Sequence, residues 1–209
     1  MKARLAGMIA AGLVVLAGAP AAIAQVASPA SLGRTAPDTR WVVDMVHSQV
    51  DFGVRHLVGS VRGTFGKWYA VLTTKEGEWR QGTVKVSIET ASLNTGNAYR
   101  DADLRSERFF DVHRYPKMTF EGAEFALADS TLTVHGMLTI KGHSKPITLT
   151  GEYRGLAKDG EGHERIAFEA AGEVDRRDFG ITWNERVAGT DLVGNAVQIT
   201  IGIEAVRAK

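Results

Sequence analysis

The chain has 209 residues, with 25 Lys plus Arg against 24 Asp plus Glu, and no cysteine. The missing thiols exclude a disulfide framework and a thiolate metal site. The near-neutral balance gives no electrostatic reason to expect nucleic acid as a partner. The N-terminus opens with Lys2 and Arg4, runs through the apolar stretch Leu5 to Ala17, and ends on Ala22-Ile23-Ala24. This is the pattern of a secretory signal peptide cleaved after Ala24, and it predicts an exported, periplasmic protein. Its apolar run is shorter than the ~20 residues a spanning helix needs. Without Lys2 and Arg4 the basic count falls from 25 to 23 against 24 acidic groups, a formal −1. Residues 25–39 are rich in Ala, Ser and Pro, without periodicity, and read as a flexible leader. Residues 40–209 then form one domain, long enough to bury a sizeable core.

From Trp41 onward the dominant pattern is alternation with a period of two. Val50, Phe52, Val54 and His56 share one face, with Asp51, Gly53 and Arg55 on the other. Val84, Val86 and Ile88 repeat the pattern, as do Leu132, Val134, Gly136, Leu138 and Ile140. So do Ile166, Phe168, Ala170, Gly172 and Val174, and finally Val197, Ile199, Ile201 and Ile203. Each run predicts a strand with one buried and one wet face, as in antiparallel sheets. Turn chemistry separates them at 76–78, 128–130, 141–144 and 158–162. Long strands carrying glycines favour closure, because a closed sheet needs bends and bulges. The expected fold is all-β, a lipocalin-like antiparallel barrel of about eight strands.

One stretch breaks the alternation. Asn97 to Asp111 holds good helix formers, with Asn97 as the N-cap and Asp101 in the first turn. A short helix across one end of the barrel is expected, with Leu104, Phe109 and Phe110 pointing inward. Asp101 and Arg105, at i,i+4 spacing, read as ordinary surface charge pairing.

Catalytic and cofactor motifs are missing from the sequence: it has no Gly-x-Ser-x-Gly, His-Glu-x-x-His, Walker loop or dinucleotide fingerprint. The six histidines are scattered, none two or four residues from another, so no metal site and no cofactor are expected. His56 extends an apolar face and is either a satisfied rim histidine or a partner for a ligand's polar head. His47 and Ser48 read as ties for a turn. The segment Arg176 to Asn184 is either an aromatic plug or a lid whose Phe179 and Trp183 line a pocket mouth. Small residues facing inward, Gly136, Gly172 and Ala170, leave volume unless bulky neighbours fill it. Such a cavity, apolar with a few polar groups at its mouth, suits a lipid tail and its head.

Together these segments resemble the YceI family of polyisoprenoid-binding proteins. The resemblance is carried by His47-Ser48-Gln49-Val50-Asp51-Phe52-Gly53-Val54-Arg55-His56, by Leu93-Asn94-Thr95-Gly96 with Arg100-Asp101, and by Phe109-Phe110-Asp111 with Tyr115-Pro116. Gly136 to Gly142 and Arg177-Asp178-Phe179-Gly180 extend it. It implies a long hydrophobic tunnel holding a polyisoprenoid or quinone-like lipid as ligand. Candidate partners are that amphiphilic lipid, a cytochrome b561-type membrane protein and a second copy of the chain. Two departures stand out. Asp103 replaces a histidine common in the family, and Lys158 to His163 replaces a Pro-Trp-Gly-Gly turn, which should leave that rim of the pocket more open. The leading expectation is a non-catalytic lipid carrier. Phe52, Val54, Leu104, Phe109, Phe110, Leu138, Phe168, Phe179 and Trp183 line its tunnel, and His56, Arg100 and Asp178 meet the head group. The alternatives are a module delivering quinone to the membrane partner and an enzyme using His56 with a carboxylate.

Overall fold

The computed structural model describes residues 38–75 and 78–208. The stretch expected to be a signal peptide, most of the one expected to be a leader, and Glu76-Gly77 lie outside the described residues. The first strand begins at Asp38, within the stretch read as leader.

Thirteen strands account for most of the described chain. They are β1 (Asp38–Val43), β2 (Gln49–His56), β3 (Gly59–Phe65), β4 (Trp68–Lys75), β5 (Glu78–Glu89), β6 (Leu93–Asn94), β7 (Lys117–Ala128), β8 (Thr131–Ile140), β9 (His143–Lys158), β10 (Glu164–Asp175), β11 (Arg186–Val187), β12 (Thr190–Asp191) and β13 (Val193–Arg207). The main sheet is antiparallel and closes because β13 pairs with β1. Several of these strands are parts of one longer run. β1 and β2 lie end to end along β13. β4 and β3 lie end to end along that same pair. β5 and β6 continue the pattern. The result is an eight-position up-and-down barrel in which sequence neighbours are spatial neighbours, the expected architecture.

The break between β1 and β2 is tied as the sequence suggests. The Ser48 hydroxyl donates to the Glu204 carbonyl at 3.2 Å and accepts from the Glu204 N–H at 2.9 Å, so a side chain replaces a missing ladder partner. His47 Nδ1 lies 2.9 Å from Asp44 Oδ2.

The two ends of the barrel differ in loop length. At one end, here the base, β7–β8 turns through Asp129-Ser130 and β9–β10 through 159–163. At the other end, the mouth, the connections are 57–58, 95–116, 141–142 and 176–192. The β8–β9 turn has positive φ at both Lys141 and Gly142, the geometry a two-residue hairpin requires. Helix α1 (Ala98–Arg105) lies in the 95–116 connection, capped by Asn97, whose side chain accepts from the Arg100 N–H at 3.1 Å. The helix is shorter than the expected stretch, because residues 106–115 fold as consecutive turns.

Bulges bend the wall. The register shifts between Ala123 and Phe125 and between Ala167 and Phe168. At the inward glycines bulky neighbours fill the volume. Gly122 faces Gly136 across the β7–β8 ladder, and the Phe120 ring lies against both. A Cβ at Gly136 would collide with that ring, and one at Gly172 would meet Leu149 Cδ2 at 2.8 Å. Glycine here makes room for a neighbouring side chain on the concave face.

Candidate functional site

A cavity of about 240 Å³ occupies the barrel interior, bounded almost wholly by carbon. Its walls run from Leu132 and Phe125 near the base to Ile181 and Phe109 near the mouth. Seven of the residues expected to line it do so: Phe52, Val54, Leu104, Phe109, Phe110, Leu138 and Phe168. Val50, Phe65, Trp68, Met118, Phe120 and Phe125 join them. Aromatic rings pack in pairs around the space. Phe52 and Phe65 sit 5.3 Å apart, Phe65 meets Phe110 edge-on at 6.0 Å, and Tyr153 lies 5.5 Å from Phe168.

Five expected site residues are not in the cavity wall. His56 is the last residue of β2, exposed beside the 57–58 turn and outside the cavity wall. Among the described residues it has no carboxylate partner, so the acid–base pair of the enzymatic alternative is not assembled. Arg100 is spent on the loop before it, donating from Nε to Thr95 Oγ1 at 2.7 Å and from Nη2 to the Thr95 carbonyl at 2.9 Å. Asp178 is exposed on a short 3-10 turn, Arg176–Phe179. Phe179 is only 1 % exposed and packs with the core as a plug. Trp183 lies over the outside of Phe109, ring centroids 5.3 Å apart. Asp101 does not pair with Arg105. It is buried and accepts from the Thr95 N–H at 3.0 Å and hydroxyl at 2.6 Å. Arg105 instead donates to the carbonyls of Ala91 and Leu93.

Arg176 is the polar residue that the alternation hides. It is 5 % exposed and borders the cavity. Its guanidinium donates to the carbonyls of Gly194 at 2.9 Å, Ile181 at 2.9 Å and Trp183 at 2.7 Å, and to Asn195 Oδ1 at 3.3 Å. Every acceptor is neutral. Burial pushes its pKa below the ordinary value, and the Asp175 charge opposes that shift. The residue nails the 176–192 segment to the start of β13.

A second polar cluster lies on the outer surface towards the base. Arg165 bonds Asp44 at 2.8 Å, Glu204 at 2.7 Å and Asp159 at 2.9 Å. It holds the Asp44 carboxyl well below the usual range, with help from His47, and pushes Asp159 down to about 2. Asp44, His47 and Glu204 converge as metal ligands would. The Arg165 guanidinium already bonds two of the three, Asp44 and Glu204.

Residues 41–205 match the YceI-like domain. The chain belongs to that family. A UPF0312 protein of Serratia proteamaculans is 36% identical over 164 residues, covering 78% of this chain and 83% of the relative. The solved YceI protein of Campylobacter jejuni superposes with a TM-score of 0.65 at 31% identity, covering 74% of this chain and 90% of that one. A polyisoprenoid binding domain from Saccharophagus degradans, implicated in plant cell wall breakdown, shares the fold with a TM-score of 0.62. Its identity is 14%, over 80% of this chain and 98% of that one.

Both departures from the family pattern now have a place. Asp103 faces away from the cavity and pairs with Arg108 at 2.6 Å, and the Arg108 guanidinium lies 4.8 Å from the Trp183 ring centroid. The Lys158–His163 turn does not open the pocket. It sits at the base, where the Asp159 carboxylate accepts from the N–H groups of Glu161 and His163, above a fully buried Ile166.

Proposed function

We propose that this protein binds the hydrocarbon chain of a polyisoprenoid or quinone-like lipid inside its barrel and carries it outside the cytoplasm. The observation that supports this most is the composition of the cavity wall. It is continuous carbon from Phe109 to Leu132, with Asp51 and Arg176 as the polar residues on its border. An apolar enclosure of this kind gains by taking apolar surface out of water. It also leaves a buried polar head without partners, which is costly. The head group of the ligand therefore stays at the mouth or beyond it. The polyisoprenoid-binding domain with the same fold supports the choice of ligand class. Export rests on the signal-peptide pattern of Lys2 to Ala24, and delivery to a membrane redox protein is a proposal on the same footing.

Unbiased lipid extraction of protein purified from its host envelope tests the reading. A prenyl-chain lipid enriched over the membrane background is the expected result. Recovery of protein with no associated lipid across repeated preparations would sink it.

A further inference from the structure

The barrel wall has one sector without a ladder. β3 pairs with β6 only at Thr64 and Phe65, so Gly59 to Gly63 have no strand partner on that side among the described residues. The gap is covered by α1 and residues 106–116, whose Leu104, Phe109 and Phe110 form the cavity wall there. The two halves of this cover are held differently. Helix α1 is fixed to the β6 side through Asp101 on Thr95 and through Arg105 on the carbonyls of Ala91 and Leu93.

The turns that follow are not fixed in that way. The N–H groups of Phe109, Phe110, Asp111, Val112, Arg114 and Tyr115 bond only to carbonyls of residues 104–111: those of Phe110 and Val112 reach Leu104 and Arg105 in the last turn of α1, and the rest stay inside the segment. Side chains make its connections to the opposite rim. Lys141 Nζ donates to the Glu107 carbonyl at 2.7 Å, Phe109 lies against Trp183 at 5.3 Å, and Arg108 stacks on the same Trp183 ring. At the start of the segment the Ser106 hydroxyl is buried without a partner among the described residues, and within it Asp111 has a φ of 49°. An unpaired buried hydroxyl disfavours the closed arrangement. The surface receiving the segment is rigid, because Arg176 bonds the Trp183 carbonyl directly.

We propose that residues 106–114 are a flap through which the ligand enters and leaves, latched by Trp183 and Lys141 against a fixed opposite rim. This rests on the lipid-binding reading. The segment can swing without breaking any ladder bond, whereas opening at 176–192 would strip the buried Arg176 of its two bonds to β13, on the Gly194 carbonyl and on Asn195 Oδ1. Trp183 and Lys141 thus set the exchange rate rather than the affinity for the chain.

The test uses N-phenyl-1-naphthylamine, an apolar dye whose fluorescence rises on burial, with stopped-flow uptake and release. The chain has no cysteine, so Glu107→Cys with Lys141→Cys gives a single pair of thiols, to be tied by a reducible bismaleimide. The tie should slow uptake and release at least tenfold, and reduction should restore both. Lys141→Ala should speed release several-fold and Trp183→Ala more. A control tie at the base, Thr131→Cys with Glu152→Cys, adjacent residues of the β8–β9 ladder, should change neither rate. Dye uptake with rates indifferent to the mouth tie would overturn the flap alone. No dye uptake by the unaltered protein would overturn the binding reading, and the flap with it.

Discussion

The base and the mouth of this barrel are built from the same strands but closed by different physics. At the base the connections are short, and Trp41, Leu72, Phe125, Leu132, Ile166 and Ala205 are all buried. Trp41 Nε1 also donates to Thr74 Oγ1 at 3.1 Å. Outside, Arg165 ties the start of β10 to Asp44, to Glu204 of β13 and to the turn at Asp159. The base is thus sealed by packing and by charge at once. At the mouth, long connections lie across the opening, and side-chain contacts hold them. Closure by core packing is permanent on the timescale of ligand exchange, and closure by a few side chains is reversible. On the proposed lipid-binding reading, a barrel with one end of each kind is a container with a single opening.

The comparison can be broken most forcefully at the base. Trp41→Ala removes a buried ring and strands the Thr74 hydroxyl, and should cost about 3–5 kcal/mol of stability in urea unfolding. The rate of dye release should stay unchanged at concentrations where the variant is folded. At the mouth, Arg176→Met should cost about 3 kcal/mol, because it leaves the carbonyls of Ile181, Trp183 and Gly194 without their donor. Release should accelerate in that variant, since the rim that receives the flap loosens. A faster release from Trp41→Ala than from Arg176→Met would mean that the two ends are assigned the wrong way round.

The smallest effect concerns pH. Asp44 and Asp159 have folded pKa values depressed by Arg165, so their contribution to stability is complete above the ordinary carboxylate range near 3.8. It is lost as pH falls through the folded values, about 2 for Asp159 and lower for Asp44. The melting temperature should therefore fall between about pH 5 and pH 2, and Arg165→Gln should flatten that fall. An unchanged slope would show that the cluster does not stabilise the base.

Much of this asymmetry could be read from the sequence. The alternation placed Phe52, Leu138 and Phe168 inside, and Asn97 was legible as a helix cap. Period-two reading failed where the chain leaves it. The bulge after Ala123 puts both Gly122 and Phe125 on the inner side, a spacing that alternation does not allow. His56 followed the inward parity but passed the rim, because parity carries no information on how deep a residue sits. Arg176 escapes a sequence reading for a different reason. A charged residue at the end of a strand reads as solvated, and only the fold brings the carbonyls of 181, 183 and 194 around it. The glycines leave open in sequence whether the volume beside them is empty or filled, and the fold answers with the Phe120 ring against Gly122 and Gly136.

A hydrocarbon chain held in the barrel interior can be displaced by filling its space. Ala70 is 3 % exposed and borders the cavity in its middle reach, so Ala70→Trp should fill the space a chain would occupy. Native mass spectrometry of both proteins from the same host is the direct comparison. The unaltered protein should carry an adduct with the mass of a prenyl-chain lipid, and folded Ala70→Trp should lack it. An adduct of equal abundance on both would place the lipid outside the barrel and contradict the account.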